Sequence, residues 1–338
     1  MKNESRVIFD AYTQQIAQIN GVTDPTRQFA VNPTIEQKLE NRIQESSDFL
    51  KSINIVPVDE IKGEKLRLGT SGPIASRTNT SSSDRTPRDI HELEDDGYEC
   101  FKTDFDSYIK YSTVDLWAKF PDFQERMRNQ VIEQIARDRM MIGFNGTSHA
   151  TDTDLATNPL LQDVNIGWIQ EMRVKAPARV LNNVKVGDIG GNDYKNIDAA
   201  VYDIVGSLID PWFREGTDLV VICGRDLLHD KYLSLVDNNP APTERNALQT
   251  LLANKQLGGK RTMTVPFFPA KSVMVTPLNN LSIYYQEGSR RRTITDNAKR
   301  DRIEDYQSVN EDYVIEELGA CCIIDGIQTP NATNDGWI

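Results

Sequence analysis

The sequence predicts a mixed α/β protein built from several parts with an extended arm, and three features carry that expectation. Residues 121–142 hold a long helix-period stretch. The apolar run 218–224 lies between two helical stretches, the pattern of a strand buried on both faces. Residues 55–112 string short extended runs and glycines around a polar tip, which reads as a long two-stranded arm.

Near the N-terminus, Ile8, Tyr12, Ile16 and Ile19 recur at helical spacing until Gly21 and Pro25 break the pattern. Pro33 and Thr34 open a second helix striped by Ile35, Leu39 and Ile43 and ending before Asp48. Both stripes are narrow, so these helices are expected to pack on another element or another chain. Ile53–Val56 and Lys65–Leu68 are short extended runs among Gly63, Gly69, Gly72 and Pro73. From Arg77 to Asp96 apolar residues almost vanish, so that segment cannot offset its ordering entropy by burial and must be exposed or held by a partner. Extended character resumes over Tyr98 to Tyr111.

The long helix starts at Pro121 and stops before Gly143, as the preference for proline at the start and glycine past the end favours. Phe123, Met127, Val131, Ile135 and Ile142 face one side. Short helices are expected over Ile166 to Lys175 and over Ile197 to Ile209, the latter with Ala199, Ala200, Ile204, Val205 and Leu208 inward. The buried run 218–224 leads into a helical Asp226 to Val236. Further strands are expected over Val265–Phe268, Ser272–Thr276, Leu281–Tyr285, Arg291–Thr295, Tyr313–Glu317 and Ala320–Ile324. The polar tail from Gln328 is expected to be loose.

Composition narrows the function. With 38 Lys and Arg against 50 Asp and Glu, the net charge of −12 has the wrong sign for a protein that draws its affinity from phosphates. No run approaches the roughly 18 apolar residues of a membrane helix, and charges stand where a signal peptide would be apolar, so cytoplasmic synthesis is expected. Cys100, Cys223, Cys321 and Cys322 lack metal or redox spacing and are expected to be reduced, with Cys223 buried.

Chemistry-bearing patterns are weak. His91, His149 and His229 fit no metal or nucleophile spacing, and His149 beside Asp152 and Asp154 is the cluster a polar loop supplies by composition. Val221–Arg225 resembles a phosphate-binding strand-to-helix junction but lacks its glycine motifs, so Gly224 is expected to serve a tight turn. Arg290, Arg291 and Arg292 are expected to be a solvated run or an intersubunit salt bridge rather than an anion clamp. Cys223 lacks an evident base. No catalytic residue, cofactor or metal is expected.

Several stretches carry a specific resemblance. Gln44–Leu50, Ile53–Val58, Lys62–Lys65 and Gly72–Ser76 occur, in this order, in the major capsid precursor of peduovirus-type phages. So do Asp115–Ala118, Gly143–Gly146, Asn158–Val164, Ala176–Val180 and Asn280–Tyr285. These collinear identities run from Arg6 to about Ile324 and resemble a capsid protein with the α+β, Hong Kong 97-like fold. The resemblance implies an N-terminal arm over residues 1–50, an extended loop over 51–112 and a peripheral domain over 113–194 with spine helix 121–142. It further implies an axial domain over 195–275, then over 276–338 a return to the peripheral domain and a C-terminal tail.

It also implies a structural subunit, not an enzyme, that self-assembles as pentamers and hexamers into an icosahedral shell around double-stranded DNA without sequence-specific binding. Its expected partners are a scaffolding protein, a maturation protease and a portal protein; its place is the virion, after assembly in the host bacterial cytoplasm. The protease is expected to trim the chain near Gln28–Val31, with Phe29 and Ala30 as the candidate cleavage residues and residues 1–29 removed. A non-viral nanocompartment shell is the second reading, and an α/β enzyme using Cys223 or the cluster of His149, Asp152 and Asp154 the third.

Overall fold

The computed structural model describes residues 1–64, 69–70, 75, 77–82, 84–85, 91–92, 97–117, 120, 123–228, 256–331 and 336–338. The chain opens with α1 (Asn3–Asn20), β1 (Phe29–Ala30) and α2 (Pro33–Glu45). Gly21 ends α1 in the left-handed region at φ 66°, with Val22 N–H closing onto the Ala17 carbonyl at 2.9 Å. At the start of α2, the Asn32 side chain accepts from Thr34 N–H at 3.0 Å and Pro33 occupies the first turn.

Short strands follow: β2 (Asn54–Val58), β3 (Lys62–Glu64), β4 (Gly69–Thr70), β5 (His91–Glu92), β6 (Gly97–Glu99), β7 (Phe101–Asp104) and β8 (Ser107–Lys110). Then come α3 (Tyr111–Trp117), α4 (Phe123–Asn145), α5 (Trp168–Lys175), β9 (Val180–Asn182), α6 (Ile197–Leu208), α7 (Pro211–Arg214) and β10 (Leu219–Cys223). The last part holds β11 (Gln256–Leu257), β12 (Lys260–Met263), β13 (Val273–Pro277), β14 (Leu281–Gln286), β15 (Arg291–Asn297), β16 (Arg302–Ile315) and β17 (Cys322–Asp325).

One sheet runs β1-β15-β16-β14-β2, with β7 and β8 also paired to β16; β14 and β2 are parallel and the other pairs antiparallel. The second runs β11-β12-β10-β13-β17-β9. Its centre explains the apolar run at 219–223, because alternate side chains serve two cores. Leu219, Val221 and Cys223, with Val273, Val275, Cys322 and Ile324, pack on α6. Ile222, Met274 and Ile323 face the core shared with α2, α4, α5, β14 and β16. Each such fully buried aliphatic side chain contributes roughly 1.5–3 kcal/mol.

Several expectations are corrected. The two-stranded segment is shorter than 55–112. β3 pairs with β6 and β4 with β5, but β2, β7 and β8 belong to the large sheet. Thr103 and Phe105 are buried there, so the imperfect alternation of 98–111 comes from a buried edge. The expected Val265–Phe268 strand is a turn with Phe267 at φ 65°, because Pro266 and Pro269 remove ladder donors. The strand lies earlier, at β12. Ala199 is exposed on α6. Instead of Tyr313–Glu317 alone, β16 spans 14 residues, and its polar side chains hid it from hydropathy patterning. The tail is not loose where described: Gln328 N–H reaches the Val184 carbonyl at 2.9 Å, and Thr329 and Ile338 exchange backbone bonds at 3.0 and 2.9 Å. The strand expected over Lys65–Leu68, half of the polar tip, Pro121 and the helix beyond Leu228 lie outside the described residues.

Gly224 joins β10 to helical residues 225–228, and a Cβ there would stand 2.0 Å from the Ala270 carbonyl oxygen. Gly224→Ala is therefore expected to cost about 1–3 kcal/mol or more, because backbone must move rather than a side-chain tip. Urea denaturation checks this, and an unchanged midpoint would count against that close approach.

Candidate functional site

Phe29 and Ala30 form a two-residue edge strand, with Phe29 opposite Arg292 and Ala30 opposite Arg291. The Phe29 ring is buried with Ile16, Val31, Tyr111, Val114, Ile294 and Ile303, whereas Gln28 and Ala30 are exposed. Flanking bonds hold the strand: Val31 N–H donates to the Arg290 carbonyl at 3.0 Å, and Ile294 N–H to the Pro25 carbonyl at 3.1 Å. The segment before it is clasped along its length. Lys2 N–H donates to Asp115 at 2.8 Å, Arg6 pairs with Asp296 at 3.0 Å, and Arg292 donates to the Tyr12 hydroxyl at 3.2 Å. Asp296 also accepts from Tyr111, whose hydroxyl is pushed up to about 12, first by burial and then by that carboxylate.

Just past this strand, α2 is anchored by a buried ionic network. Arg139, fully buried, donates to both oxygens of Glu40 at 2.5 and 3.1 Å and to Glu311 at 3.0 Å. Tyr313 donates to the other Glu311 oxygen at 2.9 Å, and Arg290 donates to Glu40. Burial opposes ionisation of Glu40, but Arg139 and Arg290 outweigh it and hold the carboxyl below its ordinary value.

Glu36 is the misfit. It accepts from Gly288 N–H at 2.9 Å, but its other oxygen stands 3.9 Å from Arg290 Nε without a hydrogen bond. Burial first, with the Glu40 charge adding, pushes its carboxyl up. Three carboxylates thus share two guanidinium groups. Because Glu36 is harder to ionise when folded, its charge costs stability above its folded value, and the cost fades as pH falls toward the unfolded value near 4.3. Glu36→Gln is expected to match or exceed the native melting temperature at pH 8, with the difference shrinking by about pH 5. A variant clearly less stable at pH 8 would show that the Glu36 charge is needed.

The enzyme candidates do not converge. The His149 ring stacks on Phe101 with centroids 3.9 Å apart, and Asp152 is exposed. Asp154 is held low by Thr157 and the 156–157 backbone in a local turn. Among the described residues, no group of three or more His, Cys, Asp or Glu could hold a metal. The His91 side chain and His229 lie outside the described residues. None of the four cysteines is in a disulfide and all are buried; burial pushes the Cys100 and Cys321 thiols up to about 12 and Cys322 well above its ordinary value. The junction at Gly224 is filled by the chain's own 269–270 backbone, as a tight turn requires.

The arginine run is corrected as well. Rather than a run solvated throughout, it divides within the chain. Arg290 enters the buried network, Arg292 pairs with Asp305 at 2.6 Å, and Arg291 donates to the Gly288 carbonyl at 2.7 Å. Sequence patterning missed the network, although one signal was present. Arg139 sits among Ile135, Ala136, Met140 and Ile142, in the apolar stripe of α4.

A family model described as phage major capsid protein, P2 family, matches residues 8–327. The chain is 45% identical to the capsid proteins of Escherichia phage P2 over 341 residues, covering 97% of this chain and 96% of that sequence. It is 40% identical to the major capsid protein of Serratia phage KSP20, covering 99% and 100%. The structure is similar to a chain of the satellite phage P4 procapsid that includes the size determination protein. There the TM-score is 0.80 at 43% identity, over 97% of this chain and 99% of that one. The capsid of an empty GTA particle, at TM-score 0.52 and 14% identity over 82% and 89%, shares the fold alone. The Hong Kong 97-like expectation therefore holds for the architecture. Matched by one family model over most of its length and by full-length relatives at 40% identity and above, the chain belongs to the P2 family of phage major capsid proteins, the structural subunits of the phage head shell.

Proposed function

We propose that this chain self-assembles as pentamers and hexamers into an icosahedral shell that encloses double-stranded DNA, with a scaffolding protein guiding assembly and a portal protein at one vertex. The observation that carries this reading is the similarity, over nearly the whole chain, to a subunit of a procapsid. Closed shells repeat one subunit in several environments, so assembly rests on many modest contacts and on segments that adjust. The net charge of −12 suits a container that does not grip its DNA. The protein acts in the virion after assembly in the host bacterial cytoplasm, without cofactor or turnover. Among the described residues no helix is long and apolar enough to cross a membrane.

In the same reading, a maturation endoprotease cuts between Phe29 and Ala30. Exposed Gln28 and Ala30 and a place at the sheet edge favour access, since such a strand can lift into an extended protease cleft once the Phe29 ring leaves its pocket. Negative-stain microscopy and intact mass, on the chain co-expressed with its scaffold and protease, test both parts. Closed shells whose subunits begin at Ala30 are expected. Soluble subunits that never close into shells would contradict assembly, and shells retaining Met1 would contradict trimming.

A further inference from the structure

Beside the proposed cut lies a cavity of about 170 Å³ lined by Gln28, Lys102, Asp104, Asp106, Arg291 and Arg292, among others. Its charges are unevenly matched. Lys102 is paired with Asp104 at 2.7 Å and Arg292 with Asp305. Arg291, directly opposite Ala30, donates to the Gly288 carbonyl, and among the described residues no carboxylate pairs with it. Across the cavity Asp106 accepts a long 3.3 Å bond from Gln307 N–H, and burial, then Asp104, pushes its carboxyl up. Arg291 is therefore a cation without a paired carboxylate, and Asp106 a carboxylate whose nearby cation, Lys102, is already paired with Asp104.

Hydrolysis of the Phe29–Ala30 bond makes one of each. Water adds across the amide: its oxygen joins the Phe29 carbonyl carbon to give a carboxylate, and protons pass to the Ala30 nitrogen to give an ammonium. We infer that this cavity is a binding site for the new chain ends, with Arg291 receiving the Phe29 carboxylate, so that the cut segment 1–29 stays bound as a separate peptide. The inference rests on the cleavage reading above.

The rest of the segment is built to remain. Phe9, Tyr12, Ile16 and Phe29 pack with Tyr111, Val114, Ile294 and Ile303, and the Lys2, Arg6 and Tyr12 contacts do not involve the cut bond. Segment 1–29 carries three cations, Lys2, Arg6 and Arg27, and three carboxylates, Glu4, Asp10 and Asp24, so no net repulsion from the acidic remainder drives it off. Loss of the new ion pair then weakens the hold, and complete release also needs the apolar contact to open.

The test uses the full chain co-expressed with its scaffold and endoprotease, purified in low salt and analysed by mass spectrometry for both products. Expected are a chain beginning at Ala30 and an equimolar 1–29 peptide, the peptide declining on washing at 1 M salt as screening grows. In Arg291→Gln, peptide occupancy should fall roughly tenfold or more, as for loss of a charge-assisted hydrogen bond. The melting temperature of the uncut protein should barely move, since the cation has no carboxylate partner before the cut. Cleaved chains without peptide would overturn the inference while sparing the cleavage reading. Full occupancy in Arg291→Gln would overturn the receptor role and point to peptide merely trapped in the shell. Shells of uncut chains would remove both readings.

Discussion

Replacing Arg139 by Met lowers the stability of the fold by about 3–5 kcal/mol, the cost of leaving buried carboxylates without their counter-charge. Arg139 is the only group that bridges Glu40 of α2 to Glu311 of β16 in the described network, so both acids lose a partner at once. Arg290 still reaches Glu40, and Tyr313 still reaches Glu311, which keeps the loss short of complete unfolding. Arg139→Lys should recover little, because one ammonium cannot reproduce the forked contact with Glu40 and the third bond to Glu311. Urea denaturation of the purified subunit measures the effect. A loss under about 1 kcal/mol would mean that water or repacking compensates the two acids. The triple replacement Glu40→Leu, Arg139→Met and Glu311→Leu separates the pair's net worth from the penalty of breaking it. It should be far milder than Arg139→Met alone.

Trp168→Ala carries a comparable expected loss, about 3–5 kcal/mol. Trp168 is fully buried at the start of α5, with its ring edge-on to Phe144 at 5.2 Å and Tyr313 at 5.5 Å, and its indole N–H donates to the Ser282 carbonyl at 3.0 Å. Truncation therefore leaves a cavity between α4, α5 and the large sheet and strands a buried carbonyl of β14. Gly143 is shaped around the same ring, since a Cβ there would lie 2.3 Å from it, so the backbone of α4 has already closed in and cannot collapse much further. Trp168→Phe should restore most of the packing but not the hydrogen bond, losing about 1–3 kcal/mol. Thermal melts of the two variants side by side check the ranking, and an Ala variant as stable as the Phe variant would contradict it.

Much of the architecture was legible in order along the chain. The stripe of α1 apart from exposed Ile19, the stripe of α2, the inward face of α6 apart from Ala199, and the doubly buried β10 are local patterns whose period survives in the sequence. The terminators are local too: Gly21 ends α1, and Pro33 with Asn32 opens α2. Collinear identities supplied the family, which hydropathy alone did not reach. The strand proposed for cleavage was singled out only through that resemblance, since nothing in the composition of Gln28–Val31 distinguishes it.

What tertiary structure alone decided is where charge is buried and which strands meet. Arg139 lies 99 residues from Glu40, and Arg290 lies 250 residues from it, so no local window contains both halves of either pair. β16 looked like an irregular polar stretch because Glu304, Asp305 and Glu311 find arginines on other elements or along the strand. Once paired, those residues cost little to bury, and the strand accepts β7, β8, β14 and β15 along its length. The turn at 265–268 and the attachment of the tail at Gln328 likewise depend on what the rest of the fold packs against them. Local periodicity determined the elements; long-range charge compensation and the shared core determined their arrangement, because those terms act between residues that only folding brings together.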